Sequence, residues 1–571
     1  MTEDLMNSTK MLALPFDDAL YTNNQSYAFL RPYTLDWQDE ESDSLHLEYS
    51  YNGLNWYALN GNNGILFPSL GSKRLSNPKL FELNNGLFYI TAENSLNKQC
   101  LFTFLTRDFI HYSKETHHKD GLPNNDNIIQ SPDDKNRLMI PLQTLTSIQE
   151  IWGKPEPVFL SKIEQIEVSC PLGEKPQLPS KILVEYSNQM QESRKVHWDS
   201  IPEEILFHKG TFQVKGTLQE PNYPSPLIKH RADPYIYKHT DGFYYFTASY
   251  TDMEHNLEGQ YQYLYIILRR APSILELADS SGVYEEKIIY ERKPIDNGNS
   301  SPHIWAPEIH FFEGTWVVYY AATDSDVSPW RIRPHCLICK GIDPFQDSWE
   351  NIGLMKTLVD DDMAFTNFSL DHTHFVHKDA HYLVWAQKTN NISDICIAQL
   401  KNPWTLCTKA VCLSHPEFNW ELHGFAVDEG PSILKRNGKI FLTFSSSGTD
   451  AMYCLGLLTA DENADLLDAS SWRKTPFPVF QSNKESGLYG PGHNSFTVSE
   501  DNSEDLIIYH GRNETRYLSD STYQPLYDAG RNTYVGKVFW NSDGSPNFSV
   551  PGADLCRNKE NLIVTLQINV L

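Results

Sequence analysis

Along the chain, short apolar and aromatic runs alternate with tight polar turns of the Asn-Gly, Asp-Gly and Glu-Gly kind, and long amphipathic helical windows are scarce. Runs of Tyr, Phe, Ile, Val, Thr and Trp favour extended backbone, because these side chains pack well on a pleated surface. The pattern predicts an all-β chain. Its helices are expected to be short, at Pro272–Leu277 and across Asp461–Leu467.

The second half carries an imperfect repeat of strand, tight turn and second aromatic strand. Asp233-Pro234 leads into Tyr235–Tyr237, an Asp241-Gly242 turn and Phe243–Phe246; Ala306-Pro307 leads into Ile309–Phe312, a Glu313-Gly314 turn and Trp316–Tyr320. The unit returns from Asp371, from Gly430-Pro431 and from Gly490-Pro491, so that anchors at 233, 306, 371, 430 and 491 are spaced by 73, 65, 59 and 61 residues. A strand pair recurring at this period predicts a five-bladed β-propeller over residues 221–571. Each anchor then starts an innermost strand, which gathers distant residues around one end of the central channel.

Upstream, Ile163–Val168 and Ile182–Tyr186 alternate apolar with polar positions, and Trp198-Asp199 and Gly210-Thr211-Phe212 complete a module of residues 159–220. These positions resemble the small bacterial immunoglobulin-like β-sandwich, which implies a brace or spacer. Residues 1–158 are expected to form another all-β module. Its Arg74–Pro78 start and Asn85-Gly86 turn copy the first blade, with Asn77 where Asp233 stands, so that it carries no carboxylate for chemistry and is expected to be structural or to shape the pocket rim.

Charge narrows the partners. With 47 Lys and Arg against 73 Asp and Glu, the net charge of −26 argues against nucleic acid or an anionic membrane surface. No apolar run reaches the roughly 18 residues of a membrane span. The nine cysteines form no disulfide framework, and Cys336-Leu337-Ile338-Cys339, spaced like a zinc or redox half-site, has no second pair and reads as thiols on a buried strand. The stretch Met1–Asn7 lacks the basic and apolar regions of a secretory leader, so a reducing cytoplasm is the expected compartment.

Three anchors place a carboxylate at one register of the repeat: Asp233, Asp371 and Glu429. Glycoside hydrolysis needs one carboxyl to take a proton from water and another to give one to the leaving oxygen. A third nearby raises the acid's proton affinity by like-charge repulsion. Asp428 should alternate away from Glu429 on its strand.

Arg231-Ala232-Asp233-Pro234, Ile304–His310, Phe368–Asp371, Val427–Pro431 and Gly490–Phe496 together resemble the ordered signatures of glycoside hydrolase family 43 over residues 225–550. The resemblance implies inverting chemistry on a five-bladed propeller, with Asp233 as general base, Glu429 as general acid and Asp371 tuning and orienting the acid. In an inverting pair the two working carboxyls stand about 6.5–9.5 Å apart. The resemblance also implies a central-channel role for His493, contacting substrate or holding a structural Ca2+ through water, with no cofactor required for the chemistry. It implies a sugar contact for Arg531, against which Arg512 competes, either sugar stacking or core packing for Trp305, and a structural position for Glu308. Thr449–Ala460, Ser471–Lys474 and Tyr509–Asn513 resemble the exo-acting α-L-arabinofuranosidase branch. The implied substrates are small arabino-oligosaccharides or hemicellulose (arabinoxylan) fragments. The rivals are β-D-xylosidase, endo-arabinanase and a non-catalytic carbohydrate-binding propeller; a sucrose or fructan hydrolase would carry a Trp-Met-Asn-Asp-Pro type motif, which this chain lacks. Oligomeric state is not readable from the residues.

Overall fold

The computed structural model describes residues 26–35, 44–70, 73–95, 97–118, 127–153, 155–219, 223–250, 252–257, 260–291, 303–323, 330–513, 524–553 and 562–571. Met1–Asn7 and Cys556 lie outside them. Five antiparallel sheets follow one another from Arg231 to Lys537, opening with the strands Arg231–Lys238, Ile304–Phe312, Ser369–His377, Asp428–Arg436 and Tyr489–Val498. They are the five blades of a β-propeller. The blade strands are buried in unbroken runs, as in Tyr244–Tyr250 and Thr315–Thr323, because both faces pack against neighbouring blades. Among the described residues the fifth blade has three strands, and the ring closes where the segment before the first blade pairs with it: Thr533 N–H donates to Ile228 O at 2.8 Å and Leu227 N–H to Thr533 O at 2.8 Å.

Every innermost strand breaks register at its anchor. The breaks fall between Ala232 and Tyr235, Trp305 and Glu308, Leu370 and Thr373, Glu429 and Ser432, and, in two steps, Tyr489 and Ser495. Positive φ marks the extra residues: Asp233 54°, Ala306 43°, Asp371 56°, Gly430 55°, Gly490 55° and His493 36°. A bulge re-aims side chains, and here it turns them together at one end of the channel. Left-handed backbone costs a non-glycine residue roughly 1–2 kcal/mol, so strain is concentrated where the carboxylates stand.

The immunoglobulin-like module differs from the expected continuous segment. Its strands Leu160–Ile163, Lys181–Tyr186, Gln191–Trp198, Gly210–Leu218 and Ile166–Cys170 share one sheet with Ile563–Val570, which was expected to be propeller. That last strand runs antiparallel to Gly210–Leu218 and parallel to Ile166–Cys170, and its alternating burial is that of a sandwich strand. Glu192 and Arg194 of this module meet Glu504 and Lys537 of the fifth blade in a buried ion network, with Lys537 Nζ 2.8 Å from Glu504.

Among its described residues the N-terminal module holds a four-stranded and a five-stranded sheet. Its strand Leu75–Leu83 repeats the bulge, with Asn77 at φ 47°, but Asn77 is exposed and donates to Glu93 at 2.8 Å. A helix absent from the sequence reading, Leu142–Trp152, buries Leu145, Ile148 and Trp152 against this core. The expected helix across Asp461–Leu467 is instead a strand end and turns, because Asp461 and Asp465 side chains accept from Asn463 N–H and Leu467 N–H, bonds that compete with a helix. Ile274–Leu277 is helical, capped by Ser273. Cys336 and Cys339 are buried free thiols in different hydrophobic clusters, as strand residues three apart must be.

Candidate active site

Asp233 sits in its bulge on the first blade. Ser249 of the adjacent strand donates to its Oδ2 at 2.5 Å and accepts from Ala306 N–H at 2.8 Å, which ties the first bulge to the second. Asp233 Oδ1 lies 3.3 Å from His493 Nδ1 and 3.7 Å from Arg531 Nη1. Burial alone would raise this carboxyl, but the His493 imidazolium with its hydrogen bond, helped by Arg531, holds it well below the ordinary carboxylate range. The Asp233 N–H donates to His510 Nδ1 at 3.1 Å, and burial pushes His510 down to about 3, so that ring is neutral.

Asp371, in the third bulge, accepts from Gly430 N–H at 3.0 Å and lies 3.7 Å from His493 Nδ1. Burial lifts it to about 6 against the pull of His493, with the Asp233 charge adding to the rise. Glu429 Oε1 accepts from the Tyr453 hydroxyl at 2.8 Å. Burial and then the Asp371 charge raise Glu429 to about 8, so it is protonated at neutral pH. Despite its burial, His493 is pushed up to about 10 by Asp371 and Asp233. At neutral pH two carboxylates thus face two cations, His493 and Arg531. An ionised Glu429 would add an uncompensated buried charge.

The sequence reading grouped Asp233, Asp371, Glu429, His493 and Arg531, and the structure brings them together. Arg512 does not join them: its guanidinium is taken by Asp528 at 3.2 Å, Thr449 O at 2.7 Å and Pro525 O at 3.2 Å. Arg531 instead spends Nη2 on Leu526 O at 2.8 Å, and its buried Nε has no hydrogen-bond partner among the described residues. Trp305 is 8 % exposed, packed edge-on against Tyr263 and tilted on His303, whereas Trp330 in the same aromatic cluster is 48 % exposed. Asp428 turns away from the channel to Ser414, Ser446 and Lys474.

Glu308 is closer to the chemistry than the sequence suggested. Its buried carboxyl pairs with His310 Nε2 at 2.9 Å, and burial raises it to about 8. The sequence reading also missed Ser249, Tyr453 and His510. Tyr453 lay inside a stretch valued only for its resemblance and His510 at the end of the second strand expected for the fifth blade; their signal was a polar ring flanked by strand residues at the channel end. Among the described residues no three His, Cys, Asp or Glu side chains form a metal-ligand set. His493 Nδ1 is turned to two carboxylates with the ring protonated, so these residues do not fit an ion held directly on Nδ1.

A bulge-lined propeller channel that holds Asp233 ionised near a protonated Glu429 carries the pair of carboxyls that glycoside hydrolysis uses. Residues 223–546 match the model of glycosyl hydrolases family 43, and the chain belongs to that family; residues 163–221 match the bacterial Ig-like domain (group 4). An extracellular exo-α-(1→5)-L-arabinofuranosidase of Streptomyces avermitilis is 44 % identical over 336 residues, 58 % of this chain and 64 % of that protein. The chain thus spans under two thirds of that relative's length. A like-named enzyme of Streptomyces chartreusis is 42 % identical over 301 residues, 52 % of this chain and 85 % of its own. The crystal structure of an α-L-arabinofuranosidase from Lactobacillus brevis is 44 % identical, with a TM-score of 0.51, covering 58 % of this chain and 97 % of the other. Two of these relatives are named extracellular, which overturns the cytoplasmic expectation. The cysteine argument fails because a chain with several large cores needs no cross-links, so free thiols do not report the compartment.

Proposed function

We propose that the protein is an inverting exo-glycosidase that removes terminal α-L-arabinofuranosyl units from arabino-oligosaccharides or arabinoxylan fragments, acting outside the cytoplasm. The observation that carries this reading is the opposed proton affinity of two carboxyls in one buried site: Asp233 is held ionised and Glu429 is held protonated. Asp233 accepts a proton from water as its oxygen attacks the anomeric carbon. The bond to the leaving oxygen breaks, and Glu429 delivers its proton there through an oxocarbenium-like transition state. Asp371 and His493 set the charge around both groups, and Arg531 offers its guanidinium to the sugar beside Asp233. The names of the relatives support the arabinosyl substrate.

The test is hydrolysis of aryl α-L-arabinofuranoside against aryl β-D-xyloside, with the first-formed anomer followed by proton NMR. Arabinoside preference with inverted product supports the reading. Xyloside preference replaces the substrate, and retained configuration sinks the mechanism. Asp233→Ala and Glu429→Ala should each lower turnover by about 10²–10⁴-fold in folded protein; near-normal activity in either removes that residue's role.

A further inference from the structure

Glu429 is held by Tyr453, and Tyr453 ends the short loop Thr449–Tyr453, whose tight turn is closed by Tyr453 N–H donating to Asp450 O at 3.2 Å. That turn is gripped from two sides. On one side His423 Nε2 lies 3.7 Å from Asp450 Oδ2, and His423 O accepts from Gly448 N–H at 2.8 Å. On the other, Ser482 Oγ donates to Ala451 O at 2.5 Å and accepts from Gly490 N–H at 2.9 Å.

Both grips are held by one short segment of the N-terminal module. The Phe67 ring packs on His423 with centroids 4.8 Å apart. The Phe67 backbone is clamped to the same loop, its N–H donating to Asn419 Oδ1 at 2.6 Å and its carbonyl accepting from Asn419 Nδ2 at 3.1 Å. Asn63, 6 % exposed, donates from Nδ2 to Ser482 O at 3.2 Å, and Gln481 beside it donates to Asn60 Oδ1 at 2.5 Å. Three of these four bonds engage backbone groups, and all join segments about 350–420 residues apart, in a seam where a lost partner is costly.

We propose that the N-terminal module is a positioning element for the acid: the segment Asn60–Phe67 fixes the loop Thr449–Tyr453 and thereby the Tyr453 hydroxyl on Glu429. The inference rests on Glu429 being the acid. Its consequence is specific to proton donation. The groups facing Glu429 are Asp233 of the first blade, Asp371 of the third, His493 of the fifth and Tyr453 of its own blade, and only Tyr453 is carried by the turn. Since the Tyr453 O–H donates to the ionised form, loosening it raises the proton affinity of Glu429 and misaims its proton.

Full-length Asn63→Ala, Phe67→Ala, Tyr453→Phe and Glu429→Gln are compared on two substrates: an arabino-oligosaccharide, whose leaving alcohol needs a proton, and a dinitrophenyl arabinofuranoside, whose leaving group does not. Asn63→Ala and Phe67→Ala should lower kcat on the oligosaccharide by about tenfold while changing the dinitrophenyl substrate by less than about twofold. The basic limb of their pH–rate profiles should move to higher pH, as in Tyr453→Phe. Because loss of a buried ring can unfold the module, Phe67→Leu and thermal melting accompany the set. Equal losses on both substrates with an unmoved basic limb, or no loss on either, overturn the proposal. If Glu429→Gln discriminates between the substrates and the N-terminal variants do not, the proposal alone falls. If Glu429→Gln loses both substrates equally, the assignment of the acid falls with it.

Discussion

Replacing Asp371 by Asn tests the electrostatics of the site with little change of shape, because the Asn carbonyl can keep the bond from Gly430 N–H that Asp371 Oδ2 accepts at 3.0 Å. Glu429 is lifted from its ordinary 4.5 to about 8, by burial first and the Asp371 charge second. Burial survives the substitution and the charge does not, so the acid falls by on the order of one to two units. At pH 7.5 an acid of pKa 8 is about three-quarters protonated and one of pKa 6.5 about one tenth, an activity loss of about eightfold from proton supply alone. The assay is kcat/KM against pH for both enzymes on an unactivated substrate. The basic limb of Asp371→Asn should lie below that of the wild type. Well below pH 6 Asp371 of the wild type is itself largely protonated, since it titrates at about 6, so the two enzymes carry similar charge there and their ratio isolates orientation. An unmoved basic limb, or one displaced upward, would refute the claim that Asp371 sets the acid.

Three further outcomes follow from the geometry. Gly430 has φ +55°, and a Cβ there would stand 3.0 Å from His493 Cγ, so Gly430→Ala should lose about 1–2 kcal/mol of stability in denaturant titration together with much of its activity; a fully active variant contradicts the tight approach. Arg531→Met should lower kcat/KM by about 10²-fold with little change in melting, whereas Arg512→Met, which strands the buried Asp528, should destabilise by about 3–5 kcal/mol, and the reverse pattern would exchange their roles. Glu504→Gln leaves the buried Arg194 and Lys537 short of a carboxylate and should lower the thermal midpoint by several degrees; an unchanged midpoint would show the network to be neutral.

The propeller and its carboxylates were legible because they recur: a repeat shows blade number, and an acid at the same register in three blades stands out against turns. Local elements were less legible. Leu142–Trp152 spaces Leu145, Ile148 and Trp152 on one face between Pro141 and Gly153, a helix signal of the ordinary kind that a chain full of strands obscured. Tyr453 and Ser249 act on carboxyls of their own blades that the chain places 24 and 16 residues away, His510 of the fifth blade acts on the first, and no local pattern marks a hydroxyl or ring with a partner that far along the chain. Glu308 was passed over because it falls at a motif position that the family resemblance marks as structural, and the register break between Trp305 and Glu308, which sets the face its carboxyl takes, is not visible in the residues. The last strand of the Ig-like sheet was hidden by sequence distance alone.

That strand has a bearing on how the protein is made. Ile563–Val570 lies between Gly210–Leu218 and Ile166–Cys170, so both neighbours present bare hydrogen-bonding edges until the ribosome has delivered more than 300 later residues. Bare edges invite pairing with other chains, and contacts of such long range form slowly. The whole propeller therefore emerges before its brace can seal, with Ile563–Val570 as the strand that closes it. A chain cut short before Ile563 leaves exposed two strand edges that the complete chain covers.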